Sequence, residues 1–451
     1  MLNDIKDIYS FDSITLNVCN TCNLHCSYCF EKNKTTSFMD INTVERILNK
    51  AYNPDKGLIV NLFGGEPLMN WEVVKYVICW AGSKDNVHVG ITTNGTTITK
   101  EIANYIKSRN VHLLLSIDGS PETHNKNRSN SFYRVRHGIE TLKKCEVEPR
   151  NIEVRMTILP EDAKNLYDNV LYLINELGLK YICPMPVTDQ EWSDEHLKDL
   201  YENYVKLMEW YIEKFKDSDS PDIEIKNISD MIMECISEYI GDNEMCPIAS
   251  HNWCSFDTDG SMYQCHQIPT MSKEDKEKFF IGNIRSGNIE TDKMISPLRF
   301  QYSKEDCKDC YSKSICKGGC PIENYRLNGL MTSCGEGYCK TTRALGKAVR
   351  RFHTNFFSIK PGKGSIYKKL YYNLSYKIII DKLNNNVDLN NDKDIANVIL
   401  ELTCFLNDNK KEDLIKSFKD HGDYVLSLVC SYLISRKGGN VNVNRLLKNL
   451  C

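Results

Sequence analysis

Several things are missing from this 451-residue chain, and each absence excludes a class of function. No apolar run is long enough to cross a bilayer, which takes about 20 consecutive apolar residues. The N-terminus, Met1 to Asp7, is charged and lacks the apolar core of a signal peptide. No long Lys/Arg block occurs and the formal net charge is −3, so nucleic acid is not expected as a partner. There is no internal repeat and no low-complexity tract. Pro361-Gly-Lys-Gly-Ser365 looks like a phosphate loop, but the required spacing is absent.

One residue type is abundant. The chain carries 20 Cys, many for a protein with no secretion signal. Secreted disulfide scaffolds are usually short. Here the Cys cluster as C-x2-C and C-x3-C in a long chain, which argues for metal ligation in a reducing compartment, the cytoplasm. The length suits two or three domains.

The densest group is Cys22, Cys26 and Cys29, three thiols within eight residues, spaced C-x3-C-x2-C. A [4Fe–4S] cluster normally takes four Cys thiolates. Three leave one iron open to a small molecule. A zinc knot also uses clustered Cys and is the plainer alternative.

The pattern around this group is a βα alternation. Strand patterns lie at 13–18, 58–63, 87–92, 111–117, 152–158 and 179–183. Helical patterns lie between them, first with Val44, Ile47, Leu48 and Ala51 on one face, then at 71–81, 99–108, 134–144 and 162–177. Gly178 is the expected C-cap of the last. Six such strands imply parallel βα units, too few for an eight-stranded barrel. A long helix is expected from Ser193, its N-cap, to about Lys216. Residues 366–451 show further helical patterns. Cys79, Cys145 and Cys183 fall in apolar patterns and read as core thiols.

The three-Cys spacing, with Tyr28 just before the third Cys, resembles the signature of radical S-adenosylmethionine (SAM) enzymes. The resemblance implies an α/β fold, a partial (β/α)6 TIM-like barrel. It also implies that the open iron binds SAM, which is cleaved to a 5′-deoxyadenosyl radical. Segments at successive strand ends fit this family. Gly64-Gly65-Glu66-Pro67 resembles its GGEP motif, which contacts the SAM ammonium, and Thr93-Asn94-Gly95 resembles its TNG segment. Ser116 and Asp118, after the fourth strand, would contact SAM. Arg155 would face the SAM carboxylate or a core carboxylate. His124 to Arg128 matches less well, because Asn125 stands where the family has Asp.

A second array resembles the SPASM domain, which binds up to two auxiliary [4Fe–4S] clusters. Cys246 and Cys265 flank Gly260 at its spacing, and Cys307, Cys310, Cys316 and Cys320 follow as C-x2-C-x5-C-x3-C. The resemblance assigns Cys246, Cys254, Cys265 and Cys320 to a first cluster. It assigns Cys307, Cys310, Cys316 and Cys339 to a second, with Cys334 as the rival last ligand. Some members leave an iron of the first cluster open. Asp257, Gly260 and Tyr263 fit a hairpin carrying Cys265. His266 stands where sulfatase-maturing members have a catalytic Asp, and resembles instead the maturases of Cys-rich ribosomal peptides.

The expected division is a radical SAM core at 1–190, a helical bridge at 191–240, a SPASM domain at 241–350 and a helical region at 351–451. The expected function is oxidative modification of a peptide or protein, such as a thioether crosslink in a Cys-rich peptide. An external one-electron donor such as flavodoxin or ferredoxin would be required. No peptide-recognition domain is expected ahead of the barrel, since the motif begins at Cys22. The alternatives are a formylglycine-generating sulfatase maturase and a non-catalytic zinc-binding protein.

Overall fold

The computed structural model describes residues 11–31, 35–234, 246, 252–287, 290, 307, 310, 312, 315, 316, 318–371, 373 and 374. Six strands run in chain order through its centre: β1 (Ser13–Cys19), β2 (Leu58–Gly64), β3 (Val87–Thr93), β4 (His112–Ser116), β5 (Ile152–Ile158) and β6 (Tyr181–Pro186). Each pairs in parallel with the next. This sequential order is the winding of a barrel.

Along each strand the side chains alternate between two faces. Ile14, Leu16, Val60, Leu62, Leu113, Leu115, Val154 and Met156 are buried on the helix side. Thr15, Asn61, Phe63, Ser116, Arg155 and Thr157 open instead on a cavity. The apolar face thus holds the helices, and the polar face is left for chemistry.

The connecting helices are α1 (Ile41–Ala51), α2 (Trp71–Ala81), α3 (Lys100–Ser108), α4 (Pro121–Asn127), α5 (Phe132–Lys144) and α6 (Leu166–Asn175). Val44, Ile47, Leu48 and Ala51 are buried on α1, and Asp40 caps it by accepting from Thr43 N at 2.8 Å. α6 is shorter than its pattern, because Pro160–Asn165 before it forms a 3-10 turn. The chain then reverses at Gly178, whose φ of +56° favours glycine. The long helix α7 (Asp194–Phe215) begins as expected, with His196 N donating to Ser193 Oγ at 3.2 Å. Cys79 is exposed rather than buried, since Val74, Val77, Ile78 and Ala81 form the inner stripe of α2 and residue 79 falls outside it.

The sheet extends beyond the six expected strands. β7 (Glu224–Ile225) adds in parallel to β6. On the other edge, β8 (Trp253–Phe256) pairs in parallel with β1, and β9 (Ser261–Tyr263) and β10 (Gly282–Asn283) follow as antiparallel neighbours. The order is β10-β9-β8-β1-β2-β3-β4-β5-β6-β7. The expected hairpin is β8–β9, with Gly260 at φ +83° in its turn. Its side-by-side pairing with β1 was not foreseen, and it makes the Cys-rich segment a continuation of the barrel wall. Past it lie α8 (Lys226–Glu234, before β8 in the chain), α9 (Lys273–Phe279), α10 (Pro321–Asn328) and α11 (Glu336–Asn355).

The chain divides into two compact units. One comprises residues 1–209, 222–231 and 239–352 and holds the whole sheet. The other comprises 210–221, 232–238 and 353–451. Within the second unit, Phe356 packs on Tyr367 at 4.9 Å. Gly364 N donates to Lys216 O at 2.8 Å, and a Cβ on Gly362 would come within 2.3 Å of that same oxygen. The glycines of 361–365 thus serve close backbone packing. The helical patterns at 395–405 and 425–432 lie outside the described residues.

Candidate active site

The C-terminal ends of the strands converge on a cavity of roughly 940 Å³. Cys22, Cys26, Cys29, Tyr28, Gly64, Gly65, Glu66, Asn94, Ser116, Arg155 and His266 all line it. Of the expected cofactor contacts, Asp118 alone is missing from the wall.

The cysteine loop is held from several sides by hydrogen bonds. Gly65 N donates to Cys19 O and Glu66 N to Thr21 O, both at 2.9 Å. The backbones approach so closely that a Cβ on Gly64 would meet Cys19 O at 2.1 Å, and one on Gly65 would meet Thr21 O at 2.1 Å. Gly64 also has a φ of +132°. These glycines seat the loop. On the far side, Ser27 N donates to Asn127 O at 3.0 Å and His25 N to Ser129 Oγ at 2.9 Å.

Glu66 is held by the protein as well as lining the cavity. Its carboxylate is 1% exposed and accepts from Leu68 N, Thr93 Oγ1 and Asn94 N at 3.1, 2.7 and 2.7 Å. The side chain therefore ties the end of β2 to the end of β3. Burial outweighs these three donors and pushes its carboxyl up to about 7. Asn94 in turn donates to Asn23 Oδ1 at 2.8 Å and lies 3.8 Å from Cys22 Sγ. An N–H aimed at a sulfur is one of the levers that tune an iron–sulfur cluster.

Asp118 corrects the expectation of a SAM contact. It is fully buried, and its Oδ2 accepts from Tyr28 Oη at 2.7 Å and from Arg128 Nε at 2.9 Å. Oδ1 accepts from Thr157 N at 3.0 Å. With both oxygens engaged, Asp118 acts through Tyr28 and Arg128. Burial and this carboxylate push the Tyr28 phenol up, and the Arg128 guanidinium lies 5.1 Å over the Tyr28 ring. Arg128 lines the cavity; it was noted in the sequence only as part of a weak match. His124 supports the group from behind. Its Nδ1 accepts from Asp118 N at 3.3 Å, and burial pushes the imidazole down to about 4, so it is neutral. Asn125 Oδ1 accepts from Phe132 N at 2.9 Å, a bond an Asp would also make, so the departure from the family pattern costs no contact here.

Ser116 and Arg155 sit opposite each other on β4 and β5. Arg155 Nη1 donates to Cys183 Sγ at 3.5 Å, and among the described residues it pairs with no carboxylate. His266 packs edge-on against Phe63 at 4.7 Å and at a tilt against Trp253 at 5.7 Å. Burial beside Arg326 and Arg155 pushes it down to about 4. Arg326, which the sequence gave no reason to single out, joins the two Cys regions: it donates to Gln267 O at 2.7 Å, and its guanidinium lies 5.8 Å over the Phe30 ring beside Cys29.

The second array forms two groups. Cys246 and Cys320 pack against the apolar cluster that contains Cys265. Gln267 N and Nε2 donate to Cys265 Sγ and Cys320 Sγ at 3.5 and 3.6 Å. Cys339 lies within electrostatic reach of Cys316, Cys307 and Cys310. Cys254 departs from the expectation. It is on β8, fully buried opposite Ile14, and its thiol donates to Tyr263 O at 3.5 Å and Ser255 O at 3.7 Å. The strand's alternation turns Trp253 toward the cavity and Cys254 away from it. Among the described residues no three such groups are close enough to grip one metal ion. A four-iron cube carries its thiolates on separate corners, so these thiols are donors of a suitable kind, three in the first group and four in the second.

Comparison with known proteins places this geometry. Residues 16–173 match the radical SAM superfamily. The chain carries a radical SAM domain. It is 26% identical over 337 residues to the cysteine-type anaerobic sulfatase-maturating enzyme of Clostridium novyi, covering 67% of this chain and 85% of that one. It is 26% identical over 237 residues to the radical SAM cyclopropyl synthase TigE of Paramaledivibacter caminithermalis, covering 46% of this chain and 48% of that one. The fold matches the solved structure of native anSMEcpe with bound AdoMet at a TM-score of 0.59 and 22% identity, over 77% of this chain and 100% of that one. The cofactors of this radical SAM enzyme are SAM and [4Fe–4S] clusters. The described residues contain no helix long and apolar enough to cross a membrane.

Proposed function

We propose that this radical SAM enzyme oxidatively modifies a side chain of a Cys-containing peptide. One observation carries the reading: the Cys22/Cys26/Cys29 loop and His266, the neighbour of Cys265, line one cavity. In this reading Cys22, Cys26 and Cys29 hold a [4Fe–4S] cluster that, with SAM, supplies hydrogen-atom abstraction. Gly64 and Gly65 seat the loop, and their strand end offers backbone carbonyls to the SAM ammonium. Ser116 and Arg155 face the SAM carboxylate and ribose. Arg155 suits an anion, since no protein carboxylate neutralises it among the described residues. Phe63, Trp253 and His266 form the wall that a substrate side chain meets. The domain division expected from the sequence stands as part of this proposal.

Formation of a thioether from a thiol and a C–H removes two hydrogens and two electrons. The adenosyl radical takes one hydrogen atom from the C–H, the thiol proton passes to solvent as the C–S bond forms, and the remaining electron leaves through the auxiliary Cys region to an external acceptor. A second reading, conversion of Cys to formylglycine, is favoured by the sulfatase-maturating relative, which this chain covers over 85% of its length.

One assay separates them. Anaerobic enzyme, SAM and reductant are incubated with Cys-containing peptides encoded beside this chain's gene and with a sulfatase-type peptide. The expected result is 5′-deoxyadenosine coupled to loss of two hydrogens with sulfur retained. Sulfur loss with an aldehyde product would establish the second reading, and no product from either peptide class would remove both.

A further inference from the structure

The geometry points to Cys334 as the fourth thiolate of the first auxiliary cluster, in the place the sequence pattern gives to Cys254. This rests on the reading that the Cys-rich region carries two auxiliary clusters. Two cubes need eight thiolates. The second group supplies four without Cys334: Cys307, Cys310, Cys316 and Cys339. The first group supplies three, because Cys254 is on the opposite face of β8 from Trp253, which packs with Cys265. The Cys254 thiol donates to the carbonyls of Ser255 and Tyr263, and the Cys334 thiol to Gly335 O at 3.4 Å, so strand face and packing, not hydrogen bonding, separate the two.

Cys334 is in the right place to complete the count. It is 8% exposed, and Cys246 packs directly against it. Cys246 also packs against the cluster that contains Cys265, so the contact is continuous from Cys265 through Cys246 to Cys334. A single buried side chain holds the turn bearing Cys334 to the segment bearing Cys320. Asn324, 2% exposed on α10, accepts from Gly335 N at 3.2 Å and donates to Met331 O at 3.0 Å. Its own backbone N donates to Cys320 O at 2.8 Å. Cys320 and Cys334 thus share one anchor. Cys334 also touches Cys339 and Cys316 of the second group. Its thiolate is surplus there and needed on the other side. Its packing on Cys246 places it where it would add a fourth thiolate to the first group.

The test uses the full-length chain with Cys22→Ala, Cys26→Ala and Cys29→Ala, reconstituted without oxygen, so that auxiliary clusters alone contribute iron. Iron and sulfide are counted, and EPR spectra are recorded in oxidised and reduced forms. This background should hold about eight irons per chain; iron-free protein would overturn the two-cluster reading and this assignment with it. Adding Cys334→Ala should remove about one iron per chain and bring up the signal of an oxidised three-iron cluster. Adding Cys254→Ala should change neither. Iron loss from Cys254→Ala with Cys334→Ala silent would overturn the assignment, as would silence from both, which marks a first cluster with a vacant corner. Should Cys334→Ala fail to fold, Cys334→Ser decides: an oxygen ligand should retain iron but shift the EPR of one cluster, and an unchanged spectrum overturns the proposal.

Discussion

The two cysteine-bearing regions of this molecule are built in opposite ways. The loop of Cys22, Cys26 and Cys29 is held by the protein itself. Hydrogen bonds reach it from the ends of β2 and β3, from Asp118 after β4, and from the 127–129 turn. The auxiliary thiols sit instead among apolar side chains such as Ile268, Phe279 and Ile322. Burial pushes Cys265 and Cys320 up there, as it does Cys26 in the first loop, while a hydrogen bond with Cys334 brings Cys316 down to about 7. The difference teaches that the first loop is set in place by hydrogen bonds from the strand ends, while the second array is set in place mainly by apolar packing, so that bound metal should matter more to its order.

The largest effect that could break this contrast is on SAM cleavage. Replacing Cys22, Cys26 and Cys29 by Ala should abolish 5′-deoxyadenosine formation while circular dichroism stays unchanged, because the loop's hydrogen bonds do not need the metal. Residual cleavage in that variant would contradict the assignment. Iron chelation should act on the other side of the comparison. Amide exchange should rise sharply over 252–339 and little over 11–31, and equal loss in both regions would erase the distinction.

Next in size is Asp118→Ala. It leaves Arg128 buried without its carboxylate and should cost about 3–5 kcal/mol in denaturant unfolding. An effect below about 1 kcal/mol, the ordinary worth of an exposed pair, would show that the Asp118–Arg128 contact is not the anchor of Tyr28. Gly65→Ala follows. Its Cβ would lie 2.1 Å from Thr21 O, so the loop must move. A displacement near 1 Å should lower SAM cleavage about 100-fold with iron content retained.

These sites also show what the sequence made legible. The six central strands lie where alternation placed them, because each buries an apolar face beneath its own following helix, a local arrangement with a local pattern. Cys22, Cys26, Cys29, Gly64, Gly65 and Asn94 stood out by motif, and the fold brings them to one cavity. The pairing of β8 with β1 was not, since it joins Trp253 to Ser13 across most of the chain and leaves no mark on either segment. Asp118 and Glu66 were located, but the protein groups that hold them were not read. A carboxylate at a strand end looks the same in sequence whether it faces a ligand or accepts three protein donors, as Glu66 does. Arg326 was missed because its partners, Gln267 and Phe30, are distant in the chain. Cys254 lies one step of strand alternation away from Trp253 and the cavity, which a spacing rule does not register.

The smallest expected effect tests how rigid the preorganised side is, through the pH dependence of Glu66. Its folded-state pKa, about 7, lies above the ordinary carboxyl value of 4.5. The folded protein therefore holds this proton to higher pH than the unfolded chain does. The stability it contributes is fully present below the ordinary value and is lost as pH rises through about 7. Between about pH 5 and pH 7 the loss should amount to about 2 kcal/mol. Glu66→Gln has no proton to lose and should remove that slope. It also turns an amide N–H toward donors at Thr93 and Asn94, so its stability should be lower than wild type at pH 5 and approach it near pH 7. The measurement is the difference between the two unfolding free energies against pH, in protein free of SAM. A flat difference would mean that the three donors already hold Glu66 ionised, and that the end of β2 is more polar than its burial implies.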